Sequence, residues 1–158
     1  MKKKIYIITF IILVIDQVIK NVILQTIPSG SIISIIPNCF FFTNVENTGG
    51  AWSILSEYTF VLTLINFICI IFLNQYLMKK DYVSQVETIY FGLIMGGMIG
   101  NFIDRVLYSG VIDFIGIKFG GYQFPIFNIA DIAIVIGVGF VFLEMIRGEI
   151  DGHRGKKR

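Results

Sequence analysis

The sequence predicts an all-α membrane protein, a bundle of four transmembrane helices with a small β-structured extracytoplasmic cap. Of its 158 residues, 55% are hydrophobic and only 15% are charged, whereas soluble domains have roughly 25% charged residues. The mean hydropathy is +0.77. Four apolar segments are each long enough to cross a bilayer as a helix, at about residues 5–27, 59–78, 88–107 and 126–146. We expect residues 1–158 to form a single integral-membrane domain.

The distribution of lysine and arginine predicts the orientation in the membrane, because these residues are retained in the cytoplasm. The first connection contains neither residue and the third contains only Lys118. We therefore expect both termini in the cytoplasm and these two connections outside. The net charge of +2 follows from this topology and does not indicate a nucleic-acid partner. The cytoplasmic group consists of Lys2, Lys3, Lys4, Lys79, Lys80, Arg147, Arg154, Lys156, Lys157 and Arg158.

The first apolar segment follows three lysines, which is also typical of a cleavable signal peptide. We expect a retained helix instead, because no small-residue cleavage site follows and the apolar run continues to Ile27. Asp16 and Lys20 have the i,i+4 spacing of an ion pair, whose simplest role is to position helices. One helical face, which we expect to look into the bundle, carries Asp16, Gln17, Lys20 and Asn21.

The first connection, about residues 28–58, is interrupted by Pro28 and Pro37 but contains strand-forming runs, "SIISII" and "CFFFTNV". These runs predict a small β cap on the outer membrane surface. A loop with an aromatic belt is the alternative. We expect exposed aromatic side chains at the interface, namely Phe40, Phe41, Phe42 and Trp52.

The cysteine and histidine content indicates neither a disulfide nor a metal site. Cys39 lies in the outer connection and Cys69 in the second span, so their depths differ too much for a bridge, and we interpret both as packing residues. The only histidine, His153, lies in the charged tail. We expect no metal and no cofactor.

The third span carries glycines at four-residue steps, Gly92, Gly96 and Gly100, a pattern that lets helix backbones approach closely. We therefore expect another helix to pack tightly against it. Four-residue steps continue the glycine face into polar residues towards the outer end, in the rows Gly96, Gly100, Asp104 and Gly97, Asn101, Arg105.

Two aspartates are predicted to meet near the outer face. Asp113 lies just beyond the third span, and Asp131 lies just inside the start of the fourth, where it shares a helical face with Asn128. Two carboxylates in an apolar site cannot both ionise easily, so one is expected to keep its proton and act as an acid while the other acts as a base. This is the arrangement of aspartic proteases. From the residues alone, a proton or ion pathway and a structural scaffold remain open.

Five sequence blocks resemble the lipoprotein signal peptidase family, signal peptidase II, in order and spacing across nearly the whole chain. They are "DQVIK", "NTGGAWS", "GGMIGNFIDR", "VIDF" and "FNIADIAI". The resemblance implies a bacterial aspartic peptidase of the cytoplasmic membrane that removes the signal peptide from prolipoproteins, cutting before a cysteine that carries diacylglycerol. It also implies contact with membrane lipid, an active site near the extracytoplasmic face, a monomer, and sensitivity to globomycin-type inhibitors.

The resemblance assigns roles to particular residues. Asp113 and Asp131 match the catalytic dyad. Asp104 fits a structural partner of Arg105 or of a backbone group, and as a hypothesis Trp52 and the phenylalanines of the cap form a lid. The chain departs from the family pattern at Gly50, Trp52 and Ile19. We expect these departures to affect how the substrate fits rather than whether the enzyme is active. Supporting or substrate-binding roles match Asn47, Gly49, Asn101, Arg105, Asn128, Asp16, Lys20 and Trp52.

Overall fold

Four long helices make up most of the part of the chain that the structure describes, as the hydropathy predicts. The computed structural model describes residues 1–50 and 54–155, with side chains described to residue 148. Each helix is long and apolar enough to cross a membrane. The helices are α1 (Lys2–Thr26), α2 (Thr59–Lys79), α3 (Gln85–Tyr108) and α4 (Ile129–Gly155).

Helix α3 lies at the centre and packs against both α1 and α4. A methyl group on Gly92 or Gly96 would come within 2.6 or 2.8 Å of side-chain atoms on α1. Gly97, on the neighbouring row, lies against the Ala130 carbonyl of α4. The predicted tight glycine packing is therefore confirmed, and the two glycine rows serve two different helices.

The start of α3 is fixed by a capping box. The Ser84 hydroxyl accepts the Glu87 N–H at 3.1 Å, and the Glu87 carboxylate accepts the Ser84 N–H at 2.7 Å. At the other end, Ser109 adopts a left-handed conformation (φ 61°), which turns the chain out of the helix and into a strand. The last turn of α3 is therefore followed directly by the strand that contains Asp113.

A four-stranded antiparallel sheet lies beyond the helix ends, in the order β1-β2-β3-β4. Strands β1 and β2 come from the first connection, as predicted. Strands β3 and β4 come from the third connection, for which no strand was predicted, and the run "VIDFIGIKF" supplies the β-branched and aromatic residues that favour one. The strands are β1 (Ile32–Ile36), β2 (Phe40–Asn47), β3 (Val111–Phe119) and β4 (Tyr122–Gln123).

The structure corrects the predicted start of the fourth helix. Helix α4 begins at Ile129 and not near residue 126, because Phe127 is extended and exchanges backbone hydrogen bonds with Ile115 of β3. Asn128 therefore lies before the first turn rather than within the helix. This changes its role, because a residue in that position can cap the helix.

Several side chains differ from the prediction in whether they are buried or exposed. Phe41 is buried, with its ring over Gly116 of β3, where only a glycine leaves room for it. Asn21 is exposed rather than turned into the bundle. Cys39 and Cys69 are exposed thiols rather than packing residues. The sheet and its first turn account for Phe41 and Cys39, and the outward side of α2 accounts for Cys69. Asn21 instead accepts a hydrogen bond from Gln25 on the exposed side of α1.

Candidate active site

Asp113 lies on β3 in a buried position beside Asn47 and Asn128. It is 3% exposed. Its Oδ2 accepts a hydrogen bond from the Asn47 side-chain amide at 2.9 Å, and its Oδ1 accepts one from that of Asn128 at 2.7 Å. The register of β2 against β3 pairs Val45 with Asp113 and Asn47 with Val111. Asn47 and Asp113 are therefore diagonal neighbours across the strand pair, which explains their contact.

Asp131 lies in the first turn of α4 and is held from two sides. Its Oδ1 accepts the Asn101 side-chain amide at 2.7 Å, and its Oδ2 accepts the backbone N–H of Asn128 at 3.2 Å. In return, Oδ1 of Asn128 accepts the Asp131 N–H at 2.9 Å. These reciprocal bonds have the form of a capping box, with Asp131 in the place usually occupied by glutamate.

Both aspartates border one cavity of about 610 Å³. Its polar end contains Asn47, Gly49, Asn101 and Arg105 in addition to the two carboxylates. The rest of its lining is apolar and continues along the first turns of α4, where Val135 is 70% exposed on the outer face of the bundle. The apolar lining comprises Val111, Ile117, Phe124, Pro125, Ile126, Phe127, Ile132, Ile134, Val135 and Ile136.

The environment of Asp113 favours its protonated form. Burial raises the pKa of Asp113 from 3.8 to about 7, and the charge of Asp131 adds to the increase. The hydrogen bonds from Asn47 and Asn128 and the charge of Lys20 lower the pKa in part. A carboxyl group with a pKa near neutrality beside a second carboxylate is what general acid–base chemistry requires.

Arg105 lies at the polar end of the cavity with part of its guanidinium unused. Nη2 donates to the Gly49 carbonyl at 3.3 Å and Nη1 to the Asn101 carbonyl at 3.4 Å. Nε is buried and has no hydrogen-bond partner among the described residues. A buried donor without a partner is costly in a folded protein, so this end of the cavity is suited to a ligand that carries an acceptor.

Comparisons with known proteins agree with this geometry. The model of the family described as signal peptidase (SPase) II matches residues 8–147. The chain belongs to the signal peptidase II family. It is 36% identical over 152 residues to a lipoprotein signal peptidase of Bacillus pumilus (strain SAFR-032), with 96% of both chains covered. As a member of this family, it is a membrane protease that removes signal peptides from prolipoproteins.

Two solved structures of bacterial membrane enzymes have the same fold. One, solved in meso at 2.3 Å, has a TM-score of 0.83 and 35% identity, and the match covers 90% of this chain and 87% of that one. The other, solved at 1.9 Å, has a TM-score of 0.79 and 35% identity, with 89% and 91% covered. The arrangement of four helices and a sheet is therefore shared with experimentally solved enzymes.

Asp16 and Lys20 of the first sequence block form a charged cluster with Asp104 in this signal peptidase, and the cluster contacts the cavity through Asn101. Lys20 contacts Asp16 at 2.8 Å and Asp104 at 2.7 Å, and all three are almost fully buried. The predicted ion pair between Asp16 and Lys20 is present. Asp104 pairs with Lys20 and with the backbone N–H of Ile112 rather than with Arg105, so of its two predicted partners only the backbone group is found.

Sequence reasoning missed two parts of the site. Gln17 bridges the cluster, donating to Asp104 at 2.8 Å and to Asp16 at 3.3 Å. Its position on the polar face of α1, next to Asp16, could have indicated this role from the sequence. The apolar lining from Phe124 to Phe127 was also missed. Ile126 and Phe127 were assigned to the fourth helix, and Phe124 and Pro125 to the connection before it.

The cap phenylalanines of the predicted lid pack within the sheet. Trp52 lies outside the described residues. Among the described cavity-lining residues, none of the three cap phenylalanines is present. Phe40 and Phe42 pack against each other, and Phe42 also contacts Phe114 in the core of the sheet. These phenylalanines therefore pack within the sheet, and the lid hypothesis stays a prediction.

Proposed function

We propose that this signal peptidase is an aspartic endopeptidase with Asp113 and Asp131 as its catalytic dyad, cutting before the lipidated cysteine of its substrate. The observation that carries the proposal is that both carboxylates border one largely apolar cavity and are joined through Asn128. The aspartic type fits the site, because the two acids have different surroundings and one has a pKa near neutrality.

The reaction follows from that arrangement. The ionised carboxylate accepts a proton from a water molecule as the water attacks the scissile carbonyl, and the protonated carboxyl donates its proton to the carbonyl oxygen. The tetrahedral intermediate then collapses as one of its hydroxyl groups returns a proton to the now ionised carboxylate and the leaving nitrogen takes the proton of the other carboxyl group. The two groups titrate as one unit, so the proton at rest is assigned to the pair.

The polar end of the cavity supports this chemistry by holding the substrate backbone. Arg105 has a buried Nε available for a substrate carbonyl, and its two terminal nitrogens are already fixed by Gly49 and Asn101. Asn47 and Asn128 both donate to Asp113 and thereby fix the orientation of its carboxyl group. Asn101 holds Asp131 in the same way.

The apolar remainder of the cavity suits the diacylglyceryl group of the substrate. Ile132, Val135 and Ile136 extend the lining along the side of α4, and Val135 and Ile136 are exposed on the face of the bundle that meets lipid. Acyl chains can therefore enter from the bilayer while the peptide stays at the polar end. A substrate that lies across this boundary is held with its scissile bond beside the dyad.

The distribution of basic residues supports placing the sheet and the cavity on the extracytoplasmic side, with both termini in the cytoplasm. The same proposal includes a monomer that works as one integral-membrane peptidase domain. It also includes sensitivity to globomycin-type inhibitors, which a lipid-peptide cavity of this kind would accommodate.

The deciding experiment compares cleavage of a diacylglyceryl-modified prolipoprotein by purified wild type, Asp113→Asn and Asp131→Asn, with a chelator present throughout. Both variants should fold and lose about 10²- to 10⁴-fold or more of the cleavage rate. Asp81→Asn, in an exposed loop between α2 and α3, is the matched control and should cut normally. Wild-type rates in both dyad variants would refute the assignment.

A further inference from the structure

Lys20 makes more contacts than an ion pair needs. It is 2% exposed, and its ammonium group donates to Asp16 at 2.8 Å, Asp104 at 2.7 Å and Oδ1 of Asn101 at 3.1 Å. An ammonium group has three donors, so each of its protons has a partner. All three partners lead to the proposed dyad by a short route.

The first route runs through Asp16 to the backbone of α4. Oδ2 of Asp16 accepts from Lys20, and its Oδ1 accepts the N–H of Ala130 at 2.9 Å. Ala130 directly precedes Asp131. A carboxylate on an N–H group in the first turn of a helix is also favourable electrostatically, so this bond fixes the start of α4 against α1.

The second route runs through Asp104 to the backbone of β3. Oδ2 of Asp104 accepts from Lys20 and also from the N–H of Ile112 at 3.1 Å. Ile112 directly precedes Asp113. Each proposed catalytic aspartate is therefore preceded by a residue whose N–H is bonded to a carboxylate, and Lys20 joins those two carboxylates.

The third route is through a side chain. Because Lys20 donates to Oδ1 of Asn101, the amide nitrogen of Asn101 points the other way, where it donates to Oδ1 of Asp131 at 2.7 Å. With its oxygen held by a cation, this amide cannot reverse without placing its own donors against the ammonium group. The side-chain amide of Asn128 donates to the same oxygen at 3.2 Å. Lys20 and Asn128 together therefore set which end of Asn101 meets the carboxylate, and Lys20 is the charged member of that pair.

We propose that Lys20 is a positioning residue that aligns both catalytic aspartates at once, through the backbone N–H before each of them and through the amide of Asn101. This inference rests on the proposed function of Asp113 and Asp131. A purely structural ion cluster makes a different prediction, because buried ion pairs can often be replaced by neutral groups of similar volume without loss.

The test uses a neutral version of the cluster, Asp16→Asn/Lys20→Met/Asp104→Asn. It leaves no unpaired buried charge and keeps an amide oxygen available for Ala130 and Ile112, so it should fold. We expect kcat per folded enzyme to fall about 100-fold, because misplacement of reacting groups by about 1 Å costs that much. KM should stay within about threefold, because no substrate contact is removed.

A single variant, Asp104→Asn, keeps the Lys20–Asp16 pair and decides the question if the triple variant does not fold. Its new amide nitrogen faces either the Gln17 amide, which donates to Asp104 at 2.8 Å, or Lys20. We therefore expect kcat to fall about 10-fold with KM unchanged. A kcat within about twofold of wild type in the folded triple variant, or failing that in Asp104→Asn, overturns the role of Lys20.

Lys80→Met is the matched control. Lys80 pairs with Glu87 and contacts Tyr76 near the start of α3, at the end of the helix remote from Asp104, so its loss should alter stability without altering kcat. Asp113→Asn is measured in the same assay. Wild-type activity in Asp113→Asn would mean that the proposed dyad is wrong, whereas an inactive Asp113→Asn beside a fully active triple variant would mean that only the role of Lys20 is wrong.

Discussion

Asn128 and Asp131 cap each other. Oδ1 of Asn128 accepts the Asp131 N–H at 2.9 Å, and Oδ2 of Asp131 accepts the Asn128 N–H at 3.2 Å. The amide nitrogen of Asn128 remains free to donate to Asp113 at 2.7 Å. One residue therefore starts helix α4, binds one carboxylate through its backbone and binds the other through its side chain. The stability of the helix start and the geometry of the proposed dyad thus depend on the same group.

Substitutions at Asn128 should separate these two roles. Asn128→Ser keeps a good helix cap but loses the donor to Asp113, so we expect near-normal stability and a cleavage rate about 10- to 100-fold lower. Asn128→Ala loses both functions and should also lose about 1 kcal/mol of stability. Thermal unfolding and cleavage kinetics on the same preparations test this. Equal activity of Asn128→Ser and wild type would contradict it.

The stability of the wild type should fall as pH rises through the range in which Asp113 titrates. In the folded protein the pair retains a proton up to the pKa of about 7 found at Asp113, whereas in the unfolded chain the carboxyl of Asp113 loses its proton near 3.8. The unfolded state therefore binds fewer protons between these values. At about 1.4 kcal/mol per pH unit, Asp113 contributes a loss of at most about 4 kcal/mol, complete above pH 7 and absent below pH 4.

Asp113→Asn removes that titration and should melt at a higher temperature than wild type at pH 8, with little difference at pH 4. The exposed control Asp81→Asn should follow the wild-type profile. Parallel melting curves for wild type and Asp113→Asn across this range would show that Asp113 is not held in its protonated form by burial.

Substitution by alanine should change the stability in opposite directions at two helical glycines. Gly97 lies against the Ala130 carbonyl, which a methyl group would strike, whereas Gly139 on α4 has open space around it. Gly97→Ala should push α4 away from α3 and lower both the melting temperature and the cleavage rate. Gly139→Ala should gain up to about 1 kcal/mol from helix propensity alone and leave cleavage unchanged. Similar effects of the two substitutions would contradict the packing described for α3.

The two native cysteines offer a direct test of orientation. Cys39 is an exposed residue at the turn between β1 and β2, and Cys69 lies within α2. A membrane-impermeant maleimide applied to intact cells or spheroplasts should label Cys39 and leave Cys69 unlabelled. Cys39→Ser should abolish the signal. Labelling of Cys39 only after the membrane is permeabilised would place the sheet on the cytoplasmic side.

The lid hypothesis can be tested through Trp52. If Trp52 holds the substrate peptide over the cavity, Trp52→Ala should raise KM for the lipidated prolipoprotein with a smaller effect on kcat. Phe41→Leu is a useful comparison, because Phe41 is buried in the sheet and should change stability instead. Unchanged kinetics in Trp52→Ala would refute the lid.

The sequence by itself determined the membrane class and the four spans, and it singled out the two aspartates that we propose as the dyad. Runs of apolar residues about 20 long can be satisfied in a bilayer only as helices, so composition and length decide the spans without further information. The four-residue glycine steps of α3 and the i,i+4 spacing of Asp16 and Lys20 are also local features, and periodicity alone assigned them to packing faces.

The tertiary structure alone decided how those residues work together. The contact of Asn47 with Asp113 depends on the register of β2 against β3, strands that are separated in sequence by two whole helices. The capping role of Asn128 depends on Phe127 pairing with β3, which holds the chain extended until α4 begins. Beyond its i,i+4 pair with Asp16, Lys20 contacts Asp104 and Asn101 of α3 at 2.7 and 3.1 Å. The two aspartates in turn accept N–H groups of α4 and β3 at 2.9 and 3.1 Å. These long-range bonds have no local sequence signature, because each partner satisfies only its own helix or strand pattern until the fold brings them together.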